Sequence, residues 1–411
     1  MSHVSWISQI KPPNLIERCF NPANGLRVFA AAIAVVYGLV PLGIYIITQD
    51  DAQYMLLAGI TGVCVIAMWF GYRISIFDYR FKSSAKRLSM SSSRFISLTW
   101  IIFGLFLLVT LTTAATIPIL SALAGVEGGV LSQERGDFLK GREGAGIILL
   151  YLSTFLVNTV VPYSIILLYQ KKAVTRHLAA SVFFLFCISF MQKTLFFNLV
   201  LPIMAFLALT RRLRGPLFMG LAVSSILLII ATTFLSLRGE QATGPSGNYL
   251  TALYAPVNPL DYFFWRAVSV PVFTAADSLV VHGEQFGGRP LLGATSSFIA
   301  GIFGLERVNI ERYVFEHQFG SWNEIANSNA VFVVDAFVNF GWLGVIFFGL
   351  FVGQVFRWFR ISPDPAFRAL WPVFAFVLFS APLIGMLLSN GFAYMLFHAL
   401  YIRVRTHARQ N

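Results

Sequence analysis

The chain has 411 residues, of which 57% are hydrophobic and only 12% charged, and its mean hydropathy is +0.73. A soluble domain carries about a quarter charged residues and could not cover that much apolar surface. The composition therefore excludes a soluble enzyme and a disordered or collagen-like chain, and it argues against an outer-membrane barrel, whose strands alternate polar and apolar residues. An all-α polytopic membrane protein remains. The formal net charge of +12 would suggest nucleic acid in a soluble protein, but here the charges must first be placed relative to a membrane.

Residues 1–26 contain Lys11, Pro12, Pro13, Glu17 and Arg18, so a cleavable signal peptide is not expected. A helical span needs roughly 20 apolar residues. Ten runs qualify in chain order: 27–47, 54–72, 95–119, 146–169, 174–191, 194–210, 216–236, 330–353, 370–388 and 391–402. The pair around Gln192-Lys193 reads as a tight hairpin. Ser389-Asn390-Gly391 is either a turn or a kink, so 370–402 holds one span or two. Cys19, Cys64 and Cys187 are widely spaced and give neither a disulfide framework nor a zinc pattern.

Basic residues test this topology. With the N-terminus in the cytoplasm, 21 of the 30 Lys and Arg fall inside, and 15 of the 18 acids fall outside or in a span. The inner face carries +18 and the outer face −6, so both termini are expected in the cytoplasm. The chain then divides into a membrane bundle over 1–236, an outer segment over 237–329 and closing membrane helices over 330–411. A smaller outer loop covers 120–145. Loops of this size are functional or disordered. The longer one holds Tyr262, Phe263, Phe264 and Trp265, and its stretch 259–281 reads as a helix lying at the outer interface.

Chemistry is expected on the outer side. Asp335 is the only acid well inside a span, and it is a candidate member of an outer site. Lys193 sits at the tip of the short hairpin, where its amine could meet a lipid phosphate. Arg135, Arg142, Arg238, Arg266 and Arg289 stand out on a net acidic face, and arginine suits bidentate phosphate binding. Arg266 follows an aromatic run, which places it at the membrane boundary. Arg289 lies in Gly287-Gly288-Arg289-Pro290, where glycines permit close backbone approach. His282 is the better candidate general base, with His317 as the second. No metal-ligand spacing and no phosphate-cradling loop occurs, so neither metal nor cofactor is expected.

These features resemble the bacterial oligosaccharide repeat-unit polymerases, the Wzy-type O-antigen polymerases. The likeness rests on the many-span plan with two enlarged outer loops and on Phe190-Met191-Gln192-Lys193-Thr194-Leu195. It rests also on Phe264-Trp265-Arg266-Ala267 and on Gly287-Gly288-Arg289-Pro290-Leu291-Leu292-Gly293. The most typical part is Asn327-Ser328-Asn329-Ala330, running on to Asn339-Phe340-Gly341-Trp342-Leu343-Gly344. Some members space an arginine and a glycine by ten residues in both loops. Arg135 and Gly146 match that spacing, whereas Gly301 falls one residue late after Arg289.

The resemblance implies a metal-independent, GT-C-like glycosyltransferase of the inner membrane, working at the periplasmic face. It would move a glycan from undecaprenyl pyrophosphate to the nonreducing end of another lipid-linked unit. Its partners would be that lipid-linked oligosaccharide, membrane lipids and a chain-length regulator protein, and no nucleic acid. The roles implied are Arg266 and His282 in catalysis, and Arg289, Arg135, Arg142, Arg238 and Lys193 on pyrophosphate. An O-antigen ligase or related lipid-linked glycan transferase is the alternative, with His317 in the catalytic part. A polysaccharide flippase or transporter is the second alternative. It would need deep polar residues or repeat symmetry, and neither is evident.

Overall fold

The computed structural model describes residues 15–49, 52–81, 86–139, 141–142, 144–189, 191, 195–213, 215–236, 248–321, 328 and 331–405. Seven of its helices are long and apolar enough to cross a membrane. They are α1 (Pro22–Thr48), α2 (Ala52–Arg73), α3 (Ser92–Thr112), α5 (Ile147–Gln170), α8 (Gly215–Ser236), α9 (Leu260–Phe286) and α12 (Phe332–Ile361). The outer-loop helix α4 (Gly128–Asp137) stands between α3 and α5. The chain is thus a multi-pass helical membrane protein.

Four of the ten expected spans are shorter helices of 10–17 residues: α6 (Arg176–Ser189), α7 (Phe197–Leu209), α13 (Pro365–Leu378) and α15 (Phe392–Tyr401). The run 370–388 breaks at Ser380-Ala381-Pro382, and the small helix α14 (Leu383–Leu388) follows. A turn at Gly391 then leads into α15. One feature is not helical: β1 (Leu88–Ser91) pairs in parallel with β2 (Ile402–Arg405).

Three of the long helices carry the same interruption. A widened turn at Ala34–Leu39, Leu156–Val160 or Trp265–Ser269 is followed each time by Val-Pro: Val40-Pro41, Val161-Pro162 and Val270-Pro271. Proline lacks an N–H, and its ring clashes with the carbonyl one turn back. The helix therefore opens by one residue instead of breaking. In α5 the opened turn presents buried Asn158, whose Oδ1 accepts from Asn198 Nδ2 of α7 at 2.7 Å. Interhelical bonds of this kind hold spans together where lipid is as apolar as the helix.

The central pair is α2 with α12, and glycines set it. A Cβ on Gly353 would stand 2.0 Å from the Met68 carbonyl oxygen, and one on Gly71 would stand 2.0 Å from that of Leu350. Gly349 faces Ala67 and the Cys64 carbonyl in the same way. Close backbone approach through small residues is how apolar helices gain packing energy without a hydrophobic drive. Contacts rise in step along both helices, Gly59 with Trp342 and Tyr72 with Arg357, so the two run parallel. Arg73, Arg357 and Arg360 therefore share one end of the bundle with Arg27. Arg357 there binds Asp78, with Nε at 2.8 Å. We call this the basic end.

Helix α9 has the length and hydropathy of a span. Its first turns lie beside Arg135 of the segment between α3 and α5. Val272 and Ala276 pack with Tyr54 at the start of α2 and with Ile44 and Tyr45 near the end of α1. His282 meets Phe337 near the start of α12, ring centroids 6.2 Å apart. Val36 and Val40, from the middle of α1, pack against the same residues, so α9 lies against the bundle from the end opposite the basic one to the middle of α1. Two further helices, α10 (Ser297–Phe303) and α11 (Ile310–Phe319), complete the cap.

Candidate active site

The site begins with a break in α12. Gly341 has φ 62° and ψ −153°, a conformation that only glycine adopts at low cost. The break frees the carbonyls of the preceding turn. Val338 and Asn339 accept instead from the N–H groups of Leu291 (3.0 Å) and Leu292 (2.8 Å) in the glycine-rich loop after α9. Asn339, fully buried, completes the join. Its Oδ1 accepts from Gly293 N at 3.1 Å, and its Nδ2 donates to Thr295 Oγ1 at 2.7 Å and to Asp335 Oδ1 at 2.9 Å.

Asp335 is 6% exposed. Its Oδ1 also accepts from Thr295 Oγ1 at 3.0 Å, while among the described residues its Oδ2 has no hydrogen-bond partner. A buried carboxylate oxygen left unpaired is costly. Asp335 lines a cavity of about 470 Å³ at the capped end. Around it stand Arg307, Glu311, Ser296, Tyr151 and Ser389 from four separate parts of the chain. The cavity thus holds a cation, two carboxylates and hydroxyls at the rim of an apolar bundle.

The arginines divide. Arg135 and Arg266 lie within electrostatic reach of each other beside Tyr262. Burial holds the Arg135 pKa below the ordinary arginine value, Tyr262 opposes that shift, and the Arg266 charge adds to it. Among the described residues the buried Arg135 Nε has no hydrogen-bond partner. Arg266 itself is exposed, next to Trp265, which packs with Tyr254, Tyr262 and Phe273. The two arginines form a cationic patch on an aromatic shelf, with no ion pair among the described residues.

Arg142 does not join it. Its Nε donates to the Phe138 carbonyl at 2.8 Å, and its Nη2 and Nη1 reach the Thr110 carbonyl and Thr113 Oγ1 at the end of α3. The guanidinium is engaged in closing a helix C-terminus. Arg289 is exposed, and its backbone carbonyl carries the more definite function.

That carbonyl bonds His282 Nε2 at 2.9 Å. His282 is only 3% exposed and stacks edge-on to Phe337. With Nε2 donating, His282 anchors the loop that carries Thr295. His317 is exposed on half-buried α11, where the adjacent Gln318 donates to Asp277 at 2.6 Å, and His317 is not among the residues lining the cavity. Lys193 and Arg238 lie outside the described residues. Among the described residues no group of three His, Cys, Asp or Glu side chains is placed to hold a metal ion.

Sequence reading found Asp335 but missed Arg307, Thr295 and Asn339 as its companions. The available signal was the four-residue spacing of Asp335 and Asn339, which stacks them on one helix face. Comparison with known proteins finds no matching family model, no matching curated protein and no matching solved structure.

Proposed function

We propose that the protein polymerises lipid-linked oligosaccharide repeat units. It transfers a glycan from undecaprenyl pyrophosphate to the nonreducing end of a second lipid-linked unit, at the periplasmic face of a bacterial inner membrane. The supporting observation is that Arg307 and Asp335 line one polar cavity at the non-basic end of an apolar bundle. A transfer from a lipid diphosphate needs those two groups and no nucleotide. The acceptor hydroxyl loses its proton to Asp335 Oδ2 as its oxygen attacks the anomeric carbon. The bond from that carbon to the pyrophosphate breaks, and the leaving oxygen takes the bonding pair. Arg307 balances the charge that develops there. Thr295 and Asn339 hold Asp335 Oδ1, which keeps Oδ2 directed to the reaction.

A polymerase binds two diphosphate lipids, one as donor and one as acceptor. The Arg135–Arg266 patch is suited to the second, because it puts two guanidinium groups beside an aromatic shelf. The basic end then faces the cytoplasm, in keeping with the distribution of Lys and Arg.

A deletion strain analysed by glycan gel tests the reading. Loss of a polymerase leaves lipid core carrying one repeat unit. Bare core would point to a ligase, and absence of any exported unit to a flippase; either result removes the polymerase assignment.

A further inference from the structure

A second polar recess lies at the basic end, on the far side of the bundle from the transfer site. It holds about 240 Å³ between the first turns of α1 and the last turns of α2 and α12. Arg27, Arg360, Trp69, Tyr72 and Asn24 line it, with no acid among them. Arg360 is held in place from one side. Its guanidinium carbon lies 5.6 Å from the centre of the Tyr72 ring, and its Nη1 donates to the Tyr72 hydroxyl at 3.3 Å. That hydroxyl donates in turn to the Ala23 carbonyl at 3.3 Å, which ties α2 to α1 across the recess.

The contrast with Arg357, one turn earlier on α12, is informative. Arg357 is neutralised by Asp78. Neither Arg27 nor Arg360 forms an ion pair among the described residues. Two guanidinium groups therefore converge on one recess without a counter-ion, at the level where three helices leave the apolar layer. Trp69 sits one turn deeper, the residue type favoured at headgroup depth. Ile66 and Phe70 on the same helix are exposed, offering an apolar track that leads away from the charges. Guanidinium forks match phosphate oxygens, and basic recesses between spans take anionic headgroups.

We infer that this recess binds the phosphate headgroup of an anionic membrane phospholipid, whose acyl chains run along Ile66 and Phe70. The site is separate from the proposed transfer reaction and does not depend on it.

The test is native mass spectrometry of the full chain in detergent, titrated with phosphatidylglycerol or with zwitterionic phosphatidylcholine. The protein should retain one phosphatidylglycerol in preference to phosphatidylcholine. The double variant Arg27→Gln/Arg360→Gln should bind it on the order of 30-fold more weakly, from two arginines near the surface. Arg27→Lys/Arg360→Lys should keep most of the binding. Unchanged thermal unfolding of both variants separates lost binding from lost fold. Equal retention of phosphatidylglycerol by the Gln variant overturns the inference, and so does equal affinity of the wild type for both lipids. Displacement of the lipid by inorganic phosphate at the same concentration would show that a free anion is the ligand, and would overturn it also.

Discussion

Asn339 Nδ2 donates to Asp335 Oδ1 at 2.9 Å across one turn of α12, and the same amide group holds Thr295. This single side chain helps to hold Oδ1 of Asp335 in place. Among the described residues the buried second oxygen has no hydrogen-bond partner, and in the proposed reaction it is the one that takes the proton.

Asp335→Asn should therefore abolish chain extension while leaving the fold intact. An amide at this position keeps an acceptor for Thr295 but cannot take a proton. Loss of a general base lowers rates by about 10²–10⁴-fold. The readout is the glycan ladder of a complemented deletion strain, with membrane level checked by immunoblot. A normal ladder would remove Asp335 from the reaction.

His282 separates two roles that activity alone would confuse. His282→Gln keeps an N–H able to reach the Arg289 carbonyl, whereas His282→Ala loses it and opens a cavity. The Gln variant should retain most turnover with an unchanged pH–rate profile. The Ala variant should lose about 1–3 kcal/mol of stability from the unpaired buried carbonyl and the missing ring. A Gln variant as inactive as the Ala variant, with normal thermal stability, would restore His282 as base.

The cationic patch is tested by charge removal. Arg135→Ala and Arg266→Ala should each shorten or erase the ladder and raise the concentration of lipid-linked unit needed for half-maximal turnover. Arg142→Ala should instead lower thermal stability, because that guanidinium closes the end of α3. If Arg142→Ala affects substrate concentration dependence alone, the assignments of these arginines are exchanged.

Gly341→Ala should be costly although there is open space around it. No heavy atom lies within 4 Å of the Cβ it would acquire, so the penalty comes from the backbone, at φ 62°. Such conformations cost non-glycine residues about 1–3 kcal/mol. Relief of that strain would straighten α12, recapture the Val338 and Asn339 carbonyls and release the loop at Leu291 and Leu292. Thermal unfolding and ladder length should fall together. A variant with unchanged melting and activity would show that the break does not organise the site.

Gly353→Leu should act through packing alone. The new side chain would meet the Met68 carbonyl and the Tyr72 amide of α2. Overpacking of this kind costs about 1–3 kcal/mol or more. Detergent melting should drop while the substrate concentration dependence of any remaining activity stays the same.

Much of this architecture was readable from residue order. Runs such as 54–72 and 146–169 lie within a few residues of Ala52–Arg73 and Ile147–Gln170, because hydropathy and length suffice to define a span. The run 95–119 ended early at Thr112, where Thr112 and Thr113 hydroxyls turn back onto the Leu108 and Val109 carbonyls and Pro118 begins another helix. Hydropathy cannot see such local bonds. The stretch 259–281, expected to lie at the outer interface, is part of a helix with the length and hydropathy of a crossing. Asp335 was visible as a lone acid in an apolar helix. Arg307 was not, because nothing in its local sequence tells that the loop between α10 and α11 brings it to the same cavity as α12. The burial of His282 was not legible either: burial is a property of packing, and the residue type alone does not report it.

The parallel pairing of α2 and α12 has a consequence for biogenesis. The glycine-lined face of α2 is in the membrane long before its partner has been synthesised, and α12 reaches it only in the last quarter of the chain. During that interval the exposed seam is open to lipid or to other helices. Insertion and assembly are thus separate events for this protein, and the step that locks the bundle is a late one. Defects at the seam should reveal themselves as slow maturation or degradation of new chains before any effect on mature molecules.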